Sequence, residues 1–237
     1  MTRKDDLTLA VDVIALAKFD TRVGITVPTT DTVKLTNGAV YLDAVYLYAD
    51  MADSTGMAQN FDEIDAAKIV RAYLSAVTRV LKFRDGEIRS YDGDRVMAIF
   101  VGNDAATKAA KAALEIKWVV DNIVHEELDL LVSAYSKSTW NLSHRTGIDT
   151  GEAFIVRAGV RNANDLVSIG DAPNIAAKLS EEKYGRTMIT QRVWDAMSYD
   201  TCFSSKGGKA MWTSPELKRV GTRVEEVRHS NWGWVVN

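Results

Sequence analysis

An apolar run, Ala44-Val45-Tyr46-Leu47-Tyr48-Ala49, stops abruptly at Asp50-Met51-Ala52-Asp53-Ser54-Thr55-Gly56, an acidic stretch rich in hydroxyls. The run reads as a buried strand and the stretch after it as a tight turn. A carboxylate where such a strand ends, followed by backbone N–H groups freed by the turn, is a place to hold a divalent cation and the phosphates it carries. A second stretch matches it. Tyr91-Asp92-Gly93-Asp94-Arg95-Val96-Met97-Ala98-Ile99-Phe100 sets Asp94 beside a glycine at the mouth of another strand, 94 − 50 = 44 residues later.

Around these two points the chain alternates irregularly between helix and strand patterns. Leu7, Val11, Val13, Ile14, Leu16 and Ala17 recur at loosely helical spacing between Asp5 and Asp20, after which Gly24 and Pro28-Thr29-Thr30-Asp31 predict a connecting loop. From Phe61 to Phe83 apolar residues recur every three or four positions behind the acidic first turn of Asp62, Glu63 and Asp65, the pattern of an amphipathic helix. Asp85-Gly86 is a turn, and Glu87–Tyr91 with Arg95–Phe100 flank Asp92-Gly93-Asp94 as a hairpin, so Asp94 sits at its tip. Asp104 to Asn122 is a second, alanine-rich helix. His144 to Val160 reads as strand, turn, strand. Leu166 to Ile169 leads into a helix begun by Pro173, and Lys206-Gly207-Gly208-Lys209 is a turn between terminal strands. Several hairpins among helices point to an α+β fold with a mixed or antiparallel sheet and helices on its faces. Residues 1–40 are expected to form an N-terminal helix and connecting segment, and 41–237 the main domain.

With 237 residues the chain can bury a sizeable core. Its 29 basic and 32 acidic residues leave a net charge of −3, which argues against a general nucleic-acid coat or a polybasic membrane patch. A single cysteine, Cys202, permits no internal disulfide, and no run of about 18 apolar residues appears. The expectation is a cytoplasmic protein with no membrane span. His125, His144 and His229 are scattered without zinc-ligand spacing. No Gly-x-x-x-x-Gly-Lys-Ser/Thr loop is present, and Trp140, Trp194, Trp212, Trp232 and Trp234 read as core and interface aromatics.

Two carboxylates on separate strand ends suit a pair of divalent ions bridging phosphate oxygens, the arrangement used where positioning and charge neutralisation lower the barrier to phosphoryl or nucleotidyl transfer. Carboxylates at strand ends are also commonly just solvated, so further motifs must decide.

Those motifs resemble the class III nucleotide cyclases. Tyr48-Ala49-Asp50-Met51 resembles that family's first metal motif and Gly93-Asp94-Arg95-Val96-Met97-Ala98-Ile99-Phe100 its second. Arg145-Thr146-Gly147-Ile148-Asp149-Thr150-Gly151 is similar to the strand before its glycine hairpin, and Ile169-Gly170-Asp171-Ala172-Pro173-Asn174-Ile175-Ala176-Ala177-Lys178-Leu179 to its transition-state motif. The four occur in the family's order over about residues 44 to 200. The resemblance implies a ferredoxin-like core, a homodimer, two divalent cations (Mn²⁺ or Mg²⁺), and cyclisation of a nucleoside triphosphate to a 3′,5′-cyclic monophosphate and pyrophosphate. It assigns Asp50, Met51 and Asp94 to the metals, Ser54, Thr55 and Arg145 to the phosphates, Asn174 to the ribose and Lys178 to the α-phosphate. The family usually carries arginine where Lys178 stands; lysine keeps the charge and loses the bidentate fork.

The base is where the sequence departs. Adenylate cyclases of this class generally read adenine with a lysine and an aspartate at the positions held here by Ser90 and Val167, and the Glu/Cys pair of guanylate cyclases is absent too. Tyr48, on the same strand face as Asp50, is either a core aromatic or, in the twin subunit, a wall that narrows the base pocket. This combination resembles the pyrimidine cyclases of bacterial Pycsar anti-phage systems. It implies a pyrimidine triphosphate substrate, UTP slightly ahead of CTP, and a partner effector activated by the cyclic product. An adenylate cyclase with an altered pocket and a catalytically silent regulatory domain stay open as alternatives.

Overall fold

In the computed structural model, residues 2–205 and 207–236 are described; Lys206 of the Lys206-Gly207-Gly208-Lys209 stretch lies outside them. The chain runs through α1 (Arg3–Ala15), β1 (Asp20–Gly24), β2 (Gly38–Met51), α2 (Ser54–Asn60), α3 (Glu63–Phe83), β3 (Glu87–Asp92), β4 (Arg95–Phe100) and α4 (Ala105–Val119). A π-helical turn (Val120–Val124) leads to α5 (His125–Leu131), α6 (Ser133–Lys137), β5 (His144–Val160), β6 (Ala163–Ile169) and α7 (Asp171–Glu181). β7 (Thr187–Thr190), α8 (Gln191–Ala196), α9 (Tyr199–Cys202), β8 (Glu216–Val220) and β9 (Arg223–Ser230) complete it.

The strands make one mixed sheet in the order β3-β4-β2-β5-β7-β9-β8, with β1 added to the free flank of β2 and β6 to that of β5. β2 lies at its centre, antiparallel to β4 over Val45–Asp50 and to β5 over Ala39–Met51. Its side chains alternate between two cores. Val45, Leu47 and Ala49 face α3 and α4, whose Tyr73, Val77, Leu81, Ala109 and Ala113 are fully buried. Leu42, Ala44 and Tyr46 face the other way, toward Ile155, Ala172 and Ala176. A strand sandwiched in this manner has no polar alternative for its interior, which is why the apolar run is continuous and its carboxylate comes only at the end.

α7 lies against the sheet because β5 carries no side chain at Gly147: a Cβ there would stand 2.1 Å from the Ala176 carbonyl oxygen and 2.4 Å from the Ser180 nitrogen. The small faces of Ala172 and Ala176 complete the fit.

Two expectations change. No turn interrupts 144–160: β5 passes straight through Gly151, whose positive φ of 153° lets the strand twist without breaking, and the reversal falls at Asn162 instead. Asp20–Gly24, expected as loop, is a strand that pairs in parallel with Gly38–Leu42, so part of the 1–40 segment belongs to the sheet. No helix among the described residues is long and apolar enough to cross a membrane.

Candidate active site

Asp50 stands one residue from the end of β2, and the ladder sets it between two arginines. Arg95 on β4 and Arg145 on β5 are its direct cross-strand partners, and residues so opposed share a sheet face. Asp94 precedes Arg95 in the β3–β4 turn, made by Gly93 at φ 61°. The Oδ2 atom of Asp94 is shut off from water and accepts no hydrogen bond. Burial, with the Asp94 charge second, pushes the Asp50 carboxyl up to about 6, against the opposing pull of Arg95 and Arg145. Two acidic groups so close, one holding an unsatisfied buried acceptor, are matched to a cation rather than to a protein donor. Among the described residues no third His, Cys, Asp or Glu completes a protein-only cage, so a cation here would take its other ligands from backbone, water or substrate. Met51 itself is 4 % exposed with its side chain in the core, so only its backbone carbonyl is available to such a cation.

The turn after Met51 is held rigidly. Asp53 adopts a left-handed conformation (φ 59°) and its carboxylate caps α2 through Gly56 N–H at 3.3 Å. The indole of Trp140 donates to the Asp53 carbonyl at 3.1 Å. Ser54 and Thr55 therefore begin α2, beside a cleft of about 470 Å³ lined by Ala52, Asp53, Asn60, Trp140, Ser143 and Arg145. Arg145, Ala52 and Asp53 meet around this space, and Ser54 and Thr55 follow Asp53 without lining it.

One rung back from Asp50 lie Met97, Tyr48 and Gly147, with Ser90 beyond Met97 on β3. Tyr48 is partly buried, and the Arg95 guanidinium sits 5.6 Å from its ring centre. Ser90 Oγ lies 3.8 Å from Met97 Sδ. Tyr48 and Ser90 thus occupy one sheet face, two strands and about 10 Å apart. Val167, on β6, is 45 % exposed, and Asp165 two residues before it ion-pairs with Arg89 next to Ser90.

Asn174 and Lys178 project from the exposed face of α7, four residues apart. The Lys178 stem passes close to Gly221 in the β8–β9 turn. Among the described residues no hydrogen bond or ion pair joins either side chain to Asp50 or Asp94 within the chain. What the chain does link is the end of that helix: Glu181 pairs with Arg95 at 3.1 Å.

On the opposite face, behind the carboxylates, Tyr73 and His144 are fully buried with ring centres 6.4 Å apart. Neither the Tyr73 hydroxyl nor either His144 ring nitrogen has a partner. Burial pushes the imidazole down to about 3, so it is neutral.

No family model matches the sequence. Whole-chain comparison is more informative. A uridylate cyclase of Xanthomonas perforans is 36% identical over 238 residues, covering 100% of both chains, and one of Rhodovulum is 35% identical over 98% of each. The chain belongs to the uridylate cyclase family. Among solved structures, a bacterial light-regulated adenylyl cyclase superposes with a TM-score of 0.66 over 83% of this chain and 53% of its own, at 20% identity. The guanylyl cyclase Cya2 gives 0.65 over 80% and 91%, at 16%. These likenesses establish the class III cyclase fold for this member of the family.

Sequence reasoning singled out neither Arg95 nor Tyr73 nor Glu181. Arg95 adjoins Asp94, a visible signal, but its place opposite Asp50 depends on a strand register that the sequence does not state. Tyr73 looks like one more apolar position of α3.

Proposed function

We propose that this cyclase converts UTP to 3′,5′-cyclic UMP and pyrophosphate as a homodimer, in two composite sites. Each takes Asp50 and Asp94 from one copy and Tyr48, Ser90, Val167, Asn174 and Lys178 from the other. The whole-length identity to relatives named uridylate cyclase carries this reading. That no hydrogen bond or ion pair among the described residues joins Asn174 or Lys178 to the carboxylates within one chain supports a shared site.

In the reaction the ribose 3′-oxygen bonds to the α-phosphorus, the bond from that phosphorus to the β-bridging oxygen breaks, and the hydroxyl proton is lost as pyrophosphate departs. Asn174 orients the ribose so that the attacking oxygen stands in line with the leaving group. Lys178 places an ammonium on the α-phosphate, where charge accumulates. Arg145 and the Ser54-Thr55 turn hold the β- and γ-phosphates. Tyr48 of the second copy walls the base pocket on the sheet face it shares with its own Ser90 and narrows the pocket toward a single ring. Asp50, Asp94 and the Met51 carbonyl would hold two divalent cations, Mn²⁺ or Mg²⁺, whose chemistry is to neutralise the phosphates and acidify the 3′-hydroxyl. The cyclic product would act as a messenger for an effector protein in anti-phage defence, as the resemblance to the pyrimidine cyclases implies.

Mixing two defective variants tests this. Asp50→Ala and Asn174→Ala are each expected to lose UTP turnover, and together to regain about a quarter of the wild-type rate, because half of randomly formed dimers keep one intact site. Failure of the mixture to recover, with dimers present by light scattering, would place all of the catalytic residues in one chain.

A further inference from the structure

The ladder between β3 and β4 slips by one residue beside the proposed base pocket. Ile88 pairs with Ala98 and packs on the α3 side of the sheet. Ser90 pairs with Met97, on the α7 side, with its hydroxyl 3.8 Å from the Met97 sulfur. Residues two apart on a regular strand share a face, so one residue has been inserted between these two. It is Arg89. Beyond the insertion the alternation resumes, with the Tyr91 hydroxyl bonded to Thr78 of α3 at 3.0 Å.

The insertion turns Arg89 to the same side as Ser90, where its guanidinium meets β6. Nη2 donates to the Asp165 carboxylate. Asp165 is itself pinned, because the same carboxylate oxygen accepts the Leu166 backbone N–H at 2.7 Å. Leu166 points into the core, so Asp165 and Val167, on either side of it, share the outer face of β6 about 7 Å apart. Arg89 thus starts beside Ser90 and ends on the strand face that carries Val167, with only 19 % of its side chain exposed.

This anchor leaves the rest of the guanidinium unpaired. Nε is shut off from water without an acceptor, and Nη1 has none among the described residues. A buried N–H without an acceptor is costly, and a native chain keeps one where something else supplies the acceptor. A guanidinium offers donors only. Val167 has no polar side-chain atom, and the Ser90 hydroxyl can donate or accept, so neither separates a carbonyl from an amino group. Uracil presents a carbonyl oxygen at C4 where cytosine presents an amino group, itself a donor.

We infer that Arg89, held by Asp165, donates a hydrogen bond to the C4 carbonyl of the uracil ring and so sets UTP above CTP. This rests on the uridylate reading, in which Ser90 and Val167 flank the base, and it names the side chain that chooses between the two pyrimidines.

The intact protein, given UTP and CTP at equal concentration with Mn²⁺, tests it through the ratio of cyclic UMP to cyclic CMP, resolved by mass. Arg89→Met keeps most of the stem and removes every donor. Its UTP:CTP ratio of kcat/KM is expected to fall about tenfold or more, with the loss on UTP. A second measurement needs no variant to fold. The unaltered protein is expected to turn over 4-thio-UTP, whose sulfur accepts weakly, about tenfold less well than UTP, and 2-thio-UTP nearly as well as UTP. An unchanged ratio in Arg89→Met, with both nucleotides losing equally, would make Arg89 a structural residue and overturn the inference, as would an equal response to the two thio-nucleotides. Those failures leave cyclic UMP as the product of the unaltered protein. If that protein makes no cyclic UMP, the uridylate reading itself is overturned, and this assignment with it.

Discussion

Arg95 faces Asp50 directly across the β2–β4 ladder, and this one guanidinium also lies over the Tyr48 ring and pairs with Asp92 and Glu181. It joins the proposed metal motif, the base-pocket tyrosine and the end of the helix that bears Asn174 and Lys178. Its charge opposes the burial and the Asp94 repulsion that raise the Asp50 carboxyl. In the proposed two-cation site this positive charge would offset part of the carboxylate repulsion before cations bind.

Replacing Arg95 by methionine removes that restraint, so the Asp50 carboxyl rises above about 6. A raised folded-state value means that the native state holds a proton the unfolded chain releases; the associated stability is full below the ordinary 3.8 and is lost as pH rises through about 6. Activity has the opposite sense, since cation binding requires the ionised carboxylate. In Arg95→Met the acid limb of kcat/KM against pH is expected to move upward, and a limb that stays in place would show that Asp50 does not set it.

Gly147→Ala is expected to lift α7 from the sheet. The added methyl would meet backbone atoms of Ala176, Leu179 and Ser180 at 2.1 to 2.8 Å, and backbone cannot swing aside as a side chain can. A loss of about 3 kcal/mol is expected from overpacking at such a site, read by urea denaturation. A change within 0.5 kcal/mol, the ordinary range for surface sites, would show that α7 has room to shift.

His144 gives a stability signal of opposite sign to Asp50. Its value falls from 6.5 to about 3 on folding, so below 6.5 the unfolded state binds the extra proton, and stability drops as pH falls from 6.5 toward 3. His144→Phe keeps a ring beside Tyr73 and removes the titration. Its melting temperature is expected to decline less steeply between pH 6.5 and 4 than that of the parent chain. Parallel curves would place the acid sensitivity elsewhere.

Much of this was legible before any coordinates. Asp50 stands out because a carboxylate closing an apolar run has no packing role, and Asp94 because it sits beside a glycine at the mouth of an apolar strand. α3 shows in its three- and four-residue spacing, and α7 in Pro173 at its first turn. β1 was missed because Asp20-Thr21-Arg22-Val23-Gly24 buries only its last residue, leaving no alternation to read. The unbroken course of β5 was missed because Asp149-Thr150-Gly151 carries turn residues, yet Asp149 is fully buried and bonded to Thr190 and Arg192. Arg95 became visible as a site residue only once the ladder put it opposite Asp50. Helix α1 was legible in its loosely helical spacing, and within one chain none of its residues is buried.

The base is the central claim, because Tyr48, Ser90 and Val167 replace a purine code without spelling out another. Incubating the protein with an equal mixture of ATP, GTP, CTP and UTP and Mn²⁺ or Mg²⁺, then resolving the cyclic products by mass, tests it most directly. The account predicts cyclic UMP as the dominant product; cyclic AMP in its place would contradict it.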